Sequence, residues 1–266
     1  MIEQLVVGPG EAAGLAGRDP ADRLGLESKE TATALLEALV DELGVLHNRL
    51  WAEARRSLLL VLQGVDASGK DGAIRSVFTG VNPQGCRVTS FKAPTTTELA
   101  HDYLWRLHAV CPARGEIGIW NRSHYEDIVA VRVRKLAPKK VWKPRSRHIR
   151  EFERLLTDEG TEIVKVFLHV SSDEQRKRLQ ERVDDPEKRW KFRAGDLDDR
   201  ALWGEFTAAY EDALTETSSA WAPWYVVPAD HKWVRNVAVA RLLVETLRRM
   251  NPQLPRPDGV QGLTVP

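Results

Sequence analysis

The chain has 266 residues and a net charge of +1 at pH 7, which fits one large α/β domain, or a domain with a subdomain, and argues against a surface that binds polyanions over its whole area. Its two cysteines, Cys86 and Cys111, have no metal-binding spacing, so we expect both to be reduced. The N-terminus has no signal-peptide pattern and no apolar run approaches the roughly 18 residues that span a bilayer, so we expect a soluble cytoplasmic protein that makes no membrane contact.

Composition divides the chain into three regions. Residues 1–27 are rich in Gly, Pro, Asp and Ala without a clear period, and we expect an extended N-terminal arm that is partly ordered at best. Residues 28–252 alternate helical and strand patterns and form the predicted domain, which starts with a long amphipathic helix over 28–56. Residues 253–266 are rich in Pro and Gly and are predicted to form a C-terminal tail.

Residues 58–71 combine an apolar strand with a phosphate-binding loop. The run Leu58–Leu62 is typical of a strand buried on both faces of a parallel sheet. Gly64 and Gly69-Lys70 then have the P-loop spacing, in which backbone N–H groups turn toward phosphate oxygens and the lysine adds a cation. A chance glycine match is the alternative, but a helix predicted over 69–79 places the phosphate at a helix N-terminus, as the motif requires. The residues predicted to bind phosphate here are Gly64, Ala67, Ser68, Gly69, Lys70 and Asp71.

Further strands and helices alternate after this loop. Strands are predicted over 86–91, 116–120, 163–170 and 224–227, and helices over 95–109, 145–158, 171–183, 198–216 and 230–249. This alternation predicts an α/β fold with a mostly parallel sheet covered on both faces. The segments 63–71, 92–98 and 121–127 each follow a strand, so we expect them to converge on one edge of the sheet.

Phosphoryl transfer needs a phosphate cradle, cations on the moving phosphoryl group, a metal ion and a positioned acceptor. The candidate catalytic residues are Asp66, Lys70, Arg122 and Glu126. A carboxylate such as Asp66 repels phosphate unless a cation intervenes, which favours a functional interpretation over a structural one. Arg122 is suited to clamp a phosphate bidentately, with a surface arginine as the alternative. Glu126 lies three residues after Ser123, so completing a helix cap is an equal alternative for it.

The metal ligands are harder to assign. Asp71 stands where P-loops usually carry the Ser or Thr that meets Mg²⁺, and Asn121 stands where an ordinary P-loop enzyme carries an Asp. The candidate metal ligands are therefore Asp66, Asn121 and Glu126. Lys92, directly after the second predicted strand, is a further phosphate-binding candidate on weaker grounds.

A basic segment covers residues 132–150, with nine Arg or Lys and no Asp or Glu. A solvated face is the usual interpretation of such a run, but the lack of interleaved acids favours contact with a chain of phosphates, either nucleic acid or inorganic polyphosphate. The residues predicted to line this channel are Arg132, Arg134, Lys139, Lys140 and Lys143.

The sequence resembles the polyphosphate kinase 2 family from about Asp19 to Pro252. The stretches that carry the resemblance are GVDASGKDG at 64–72, GVNPQGC at 80–86, SFKAPT at 90–95, NRSHYED at 121–127 and WAPWYVVPADHKWVRN at 221–236. The resemblance implies a three-layer α/β sandwich similar to thymidylate kinase. It also implies Mg²⁺-dependent transfer, with Mn²⁺ as an alternative ion, between polyphosphate and nucleoside phosphates in a homodimer or homotetramer.

The resemblance also assigns roles to single positions. Asp66 matches the loop aspartate that organises phosphate and metal, Lys70 the P-loop lysine, Arg122 the arginine after the third strand, and Lys92 a lysine near the nucleotide. A lid is implied at about 184–197, with Lys191 and Arg193 reaching the phosphates. Many members have Asp at the position of Asn121, and Asn with Glu126 resembles the subgroup that accepts AMP as well as ADP.

Three functions remain open from the sequence. The first is transfer between inorganic polyphosphate and ADP, AMP or GDP, with no nucleic-acid partner. The second is an ATP-dependent nucleoside monophosphate kinase of the same fold, and the third is a P-loop module that binds nucleotide or nucleic acid without turnover.

Overall fold

The computed structural model describes residues 2–193 and 195–256. A six-stranded sheet has the order β1-β6-β5-β2-β4-β3 and is parallel except for β1, which pairs with β6 in antiparallel orientation. The strands are β1 (Val6–Val7), β2 (Ser57–Gln63), β3 (Cys86–Ser90), β4 (Ile117–Asn121), β5 (Thr161–His169) and β6 (Trp224–Pro228). This confirms the predicted α/β class with a mostly parallel sheet.

Helices connect the strands. They are α1 (Lys29–Glu53), α2 (Lys70–Val77), α3 (Thr96–Leu99), α4 (Trp105–His108), α5 (Ala130–Val133), α6 (Lys139–Trp142), α7 (Arg145–Asp158), α8 (Ser172–Asp184), α9 (Gly195–Ala201), α10 (Trp203–Thr217) and α11 (Lys232–Met250). Short 3-10 helices lie at Glu3–Leu5, Leu15–Gly17, Pro83–Gly85, His124–Asp127 and Arg189–Lys191. Among the described residues, none of these helices combines the length and apolarity needed to cross a bilayer.

Two hydrophobic cores make the three layers. Helices α1, α2 and α11 pack together over one face of the sheet, and α5, α7 and α10 cover the other. Successive residues of β2 alternate between these cores: Leu58, Leu60 and Leu62 join the first, whereas Leu59 and Val61 join the second. A strand buried on both faces accounts for the uninterrupted apolar run seen in the sequence.

The helix predicted over 95–109 is two short helices, α3 and α4. Thr95 and Glu98 form the expected capping box at the start of α3. Five residues separate the two helices, and Asp102 accepts a hydrogen bond from Leu104 N at 2.9 Å. An aspartate that bonds a backbone N–H two residues later favours a turn over a continuous helix.

The segment before α1 is more ordered than the expected arm. Val6 and Val7 pair with Tyr225 and Trp224 of β6, and the side chains of Leu5, Val7 and Leu15 are buried. Arg18 donates to the carbonyl oxygens of Ala13 at 2.8 Å and Val6 at 3.1 Å. Short apolar groups at irregular spacing gave no periodic signal, although they cover the outer edge of β6. At the other end of the chain, residues 257–266 of the predicted tail lie outside the described residues.

Register places the predicted segments along one edge of the sheet. Asn121 at the end of β4 pairs with Leu62 near the end of β2 and with Ser90 at the end of β3. The loop after β2, the residues after β3 and the residues after β4 therefore begin side by side, as the sequence predicts.

Candidate active site

The loop between β2 and α2 has the backbone of a phosphate cradle. Gly64, Ala67 and Gly69 all have positive φ angles, of 148°, 62° and 102°. A Cβ atom added to Gly64 would lie 2.7 Å from Ser68 Oγ and 2.9 Å from Leu168 O, so only glycine fits there. The tight loop ends at α2, whose first residue is Lys70, so an anion in the cradle would face a helix N-terminus.

Helix α8 holds the outer side of this loop. Gln175 Nε2 donates to Asp66 O at 3.0 Å, and Arg178 Nη1 donates to Ala67 O at 3.1 Å and Ser68 O at 3.0 Å. Three consecutive loop carbonyl groups are thus bonded to α8, which favours an inward orientation of the N–H groups between them. We did not identify Gln175 or Arg178 from the sequence, because their spacing within α8 shows no relation to the P-loop.

A second buried arginine, Arg235 of α11, packs against the start of α2. Its side chain is 3% exposed, and a Cβ atom added to Gly69 would lie 1.9 Å from Arg235 Nη1. Burial, followed by the neighbouring charge of Arg178, lowers the pKa of Arg235 to about 10. Gly69 is therefore required both for its positive φ and for the close approach of this guanidinium group. Arg235 lies within the motif at 221–236, but only the packing shows that it reaches the P-loop.

Lys70 lies inside the loop and is 8% exposed. Its Nζ atom donates to Gly64 O at 2.7 Å and to Val65 O at 3.2 Å. Burial, and then the positive charge of Arg122, lowers the pKa of Lys70 to about 8, although the carboxylates of Asp66, Glu126 and Asp71 oppose the shift. The site therefore gathers around Lys70 the carboxylates and the arginine that the sequence predicts.

Asp66 and Arg122 form an ion pair across the site. Burial raises the pKa of Asp66, but the positive charges of Arg122 and Lys70 outweigh this effect and lower the pKa below its ordinary value. Arg122 has a left-handed backbone with φ of 64°, and its N–H donates to Leu62 O at 3.0 Å. A non-glycine residue in this region is strained, and such residues cluster at functional sites. The turn moves the arginine out of the line of β4 and toward the P-loop.

The contacts of Glu126 differ from those of a helix cap. Ser123 Oγ accepts from Tyr125 N at 3.3 Å, whereas Glu126 N donates to Ser123 O at 3.1 Å. With its amide oriented to satisfy both neighbours, Gln63 donates to Glu126 Oε1 at 3.1 Å and accepts from Ser123 N at 3.0 Å. The negative charge of Glu126 also raises the pKa of Arg122. The Glu126 carboxylate thus faces the end of β2 and the site.

Asn121 and Asp71 contact each other. Asn121 Nδ2 donates to Asp71 Oδ1 at 2.6 Å, so the two residues that depart from the usual P-loop pattern are neighbours. Asp71 follows Lys70 at the start of α2 and is exposed. The sequence assigned Asp71 to phosphate alone, but its carboxylate lies where the usual Ser or Thr would meet a metal.

The donor set fits a hard divalent cation. Asp66, Asp71 and Glu126 supply carboxylate oxygens around Lys70, and Asn121 supplies an amide oxygen. One or two carboxylates together with phosphates and waters is the usual environment of Mg²⁺. The three carboxylates do not converge on one point, because within residues 2–193 and 195–256 no group of three or more His, Cys, Asp or Glu side chains is placed to hold a metal ion. The protein itself would therefore supply only one or two carboxylates to the ion.

Carboxylates from distant parts of the chain pair with most of the predicted channel. Arg132 Nη1 donates to Asp212 at 2.6 Å, Arg134 pairs with Asp199, and Lys143 pairs with Glu216. Lys139 and Lys140, at the start of α6, are exposed. The local lack of acids was therefore misleading, because α9 and α10 supply acids that the linear segment lacks.

The remaining predicted phosphate-binding residues lie on the surface. Lys92 follows β3 and is exposed, and its carbonyl oxygen accepts from Arg106 at 3.0 Å. Lys191 and Arg193 are exposed in the segment between α8 and α9, with Lys191 Nζ 5.0 Å from the centre of the Trp190 ring. A 3-10 helix over Arg189–Lys191 and the start of α9 occupy part of the predicted lid, and Ala194 lies outside the described residues.

Comparison with known proteins gives a consistent result. A family model described as Polyphosphate kinase 2 (PPK2) matches residues 26–255. The chain is 56% identical over 241 residues to an AMP/ADP-polyphosphate phosphotransferase of Meiothermus ruber, covering 90% of each chain. It is 45% identical over 265 residues to an ADP-polyphosphate phosphotransferase of Rhodopseudomonas palustris, covering 95% of this chain and 92% of the relative. The crystal structure of Polyphosphate Kinase 2 from Arthrobacter aurescens TC1 superposes with a TM-score of 0.93 at 43% identity, covering 96% of this chain and 92% of that one.

Proposed function

Because the chain belongs to the polyphosphate kinase 2 family, we propose that it is a phosphotransferase that moves phosphoryl groups between inorganic polyphosphate and AMP or ADP, with GDP as a further acceptor. The observation that carries the proposal is the buried Lys70 inside the phosphate loop, next to the Asp66–Arg122 ion pair. Two cations and a carboxylate at a helix N-terminus suit a transferring phosphoryl group.

The geometry suggests how the residues divide the work. The N–H groups of the loop and the α2 N-terminus would hold the terminal phosphates, and Lys70 would neutralise the charge that develops on the moving group. Arg122 reaches the same centre from the end of β4 and would bind phosphate oxygens together with Lys70, while Asp66 orients its guanidinium group. These contacts act mainly by position and charge, which is what phosphoryl transfer requires.

We propose that Mg²⁺, with Mn²⁺ as an alternative, acts with these residues. Asp66 and Glu126 are the proposed carboxylate ligands and Asn121 the proposed amide ligand, and Asn121 also bonds to Asp71. When bound, such an ion neutralises phosphate charge. We also propose a homo-oligomer, either dimer or tetramer, on the family resemblance. A cytoplasmic location is proposed from the absence of a signal-peptide pattern in the sequence.

One assay separates the proposed function from its alternatives. Purified protein is incubated with ADP or AMP, Mg²⁺ and long-chain polyphosphate, and ATP formation is measured. In a parallel reaction ATP replaces polyphosphate as the donor, AMP is the acceptor, and ADP formation is measured. ATP formed from polyphosphate supports the proposal. Turnover with the ATP donor alone would indicate a nucleoside monophosphate kinase, and nucleotide binding without turnover in either reaction would indicate a binding module.

We expect Glu126→Gln to raise the Mg²⁺ concentration that gives half-maximal activity. The amide keeps hydrogen-bonding capacity toward Gln63 but removes the negative charge that attracts a cation. The melting temperature should change little, because no cap is lost. Activity is measured across a Mg²⁺ titration. The matched control is Glu37→Gln, which makes the same change at an exposed residue of α1. An unchanged Mg²⁺ dependence together with a lower melting temperature would support the capping role instead.

We expect Lys139→Glu/Lys140→Glu to weaken the use of long-chain polyphosphate with little effect on nucleotide affinity. These two lysines are exposed, whereas Lys143 already pairs with Glu216. Contacts with a polyanion release counterions, so the wild-type KM for polyphosphate should rise with salt more steeply than that for ADP, and the variant should show a smaller slope.

The measurement is KM for each substrate at three salt concentrations. Lys29→Glu/Arg49→Glu on α1 carries the same change in charge and serves as the control, with wild-type slopes expected. Equal slopes for both substrates in the wild type would make the basic segment a solvated surface.

A further inference from the structure

A fully buried ion pair lies beneath the active-site edge of the sheet. Lys165 in the middle of β5 is 0% exposed and Glu153 of α7 is 1% exposed, and Lys165 Nζ donates to Glu153 Oε2 at 2.7 Å. The proposed chemistry uses neither group. Lys165 is also out of place in the sequence of β5, where apolar Val164 and Val166 flank it.

The ion pair holds the first two residues of the 3-10 helix His124–Asp127. Glu153 Oε1 accepts from Tyr125 OH at 2.7 Å and lies 3.2 Å from His124 Nε2, and Lys165 Nζ donates to Tyr125 OH at 3.0 Å. The side chains of His124 and Tyr125 are each 1% exposed. The segment that follows β4 is therefore bonded by three polar contacts to α7 and to β5.

The network also bonds to the end of α10 and to β6. Lys165 Nζ also donates to Thr217 O at 2.8 Å, at the end of α10. Thr217 Oγ1 accepts from Trp224 Nε1 at 2.9 Å, and the Trp224 ring meets the Tyr125 ring edge-on with centroids 4.7 Å apart. All three ammonium protons of Lys165 have acceptors, so the group fixes α7, α10, β5 and the 3-10 helix relative to one another.

Stability alone does not account for this arrangement. The desolvation free energy of two buried charges is about as large as the free energy of their attraction. Apolar side chains of similar volume often stabilise the same layers equally well. A network of directional bonds differs from an apolar contact in fixing orientation. The residue that most needs a fixed orientation is Arg122, which lies two positions before His124 and has a strained backbone with φ of 64°.

We propose that the Glu153–Lys165 pair, acting through Tyr125 and His124, is a positioning device for Arg122 in phosphoryl transfer. The pair anchors the chain directly after Arg122, so that the strained turn persists and the guanidinium group stays against Asp66. None of the four touches the loop at Gly64–Lys70 among the polar contacts described, so they are positioning residues. This inference rests on the proposed function, because it assumes that Arg122 acts on the transferring group.

Two variants test the proposal. Tyr125→Phe removes one hydroxyl and leaves the ion pair intact, and Tyr125→Phe/Glu153→Met/Lys165→Met replaces the network with apolar side chains. We expect kcat for ATP formation from ADP and polyphosphate to fall modestly in the first and about 10- to 100-fold in the second, because small displacements of a catalytic group are costly. KM for both substrates should change little, since the loop and the basic segment bind the ground state.

The matched control is Ser57→Ala/Thr161→Val. It removes a buried hydrogen bond of 3.0 Å between the same strands, β2 and β5, at the end away from the site, and we expect wild-type kcat. If the triple variant does not fold, Tyr125→Phe decides the question alone. A folded Tyr125→Phe protein with wild-type kcat would overturn the proposal.

A double-mutant cycle tests whether the network acts through Arg122. In an Arg122→Met background, Tyr125→Phe should cost far less activity than in the wild type, because the group being positioned is absent. The same fold loss in both backgrounds would also overturn the proposal. Failure of the wild-type protein to use polyphosphate would instead refute the proposed function, so the two ideas are separable.

Discussion

Lys70→Ala is expected to lower kcat by about 100-fold or more. The ammonium group sits inside the phosphate loop at 8% exposure, where water screens its charge poorly and a preorganised cation stabilises developing charge effectively. A loss of this size corresponds to ~3 kcal/mol of transition-state stabilisation. The measurement is steady-state ATP formation from ADP and polyphosphate.

Lys70→Met is the matched variant for this experiment. It keeps the length of the buried stem and removes the charge together with the bonds to Gly64 O, Val65 O and Ser68 Oγ. We expect it to melt near the wild-type temperature and to lose nearly as much activity as Lys70→Ala. A folded Lys70→Met protein with near-normal kcat would show that the lysine serves the loop conformation alone.

The pKa of Lys70 gives the same prediction a pH signature. Burial lowers it from 10.5 to about 8. The protonated form is the active one, so kcat/KM should fall as pH rises through about 8, while kcat should hold to higher pH because bound phosphates raise the pKa again. Between pH 8 and pH 10.5, approximately, Lys70 is protonated in the unfolded chain and largely deprotonated in the folded protein. Its contribution to the free energy of unfolding therefore increases with pH over this range. Loss of activity from this group is therefore separable from unfolding.

Arg122→Met is expected to lower kcat by about 100- to 1,000-fold, as loss of a group that stabilises transition-state charge generally does. Its side chain is 37% exposed, so the change leaves no cavity and should alter the melting temperature little. The Asp66 carboxylate would lose its partner and lie unpaired near the phosphates, which adds repulsion.

Arg122→Lys distinguishes charge from geometry at this position. Lysine keeps the positive charge but not the planar fork that can bond Asp66 and a phosphate together. We expect an intermediate kcat. Full activity in Arg122→Lys would reduce the role to charge alone, and full activity in Arg122→Met would remove Arg122 from the catalytic set.

Local patterns predicted which segments meet at the carboxyl ends of the strands. The P-loop spacing, the apolar run of β2 and the position of Arg122 after a strand are features of adjacent residues, and parallel register then brings them together. What the sequence missed depends on contacts between distant residues. Gln175 and Arg178 bond the loop from more than 100 positions away, and Asp212 pairs with Arg132 from 80 positions away.

The same distinction explains why Glu126 and the basic segment stayed ambiguous. A Ser followed three residues later by Glu matches a capping box, but the side chain that faces Glu126 is Gln63 of β2. A count of charges along residues 132–150 does not include the carboxylates of α9 and α10, which lie beside this segment in the folded protein. Helical and strand periods do not report such pairings.

The antiparallel pairing of β1 with β6 has a consequence for synthesis on the ribosome. Val6 and its partner Tyr225 are more than 200 residues apart, and at ~5–20 residues per second the second emerges about 10 to 40 s after the first. During that interval the apolar residues before α1 have no partner strand and are exposed to chaperones and proteases. Docking of this segment is therefore among the last steps of maturation, and it seals the β6 edge only after the rest of the sheet has been made.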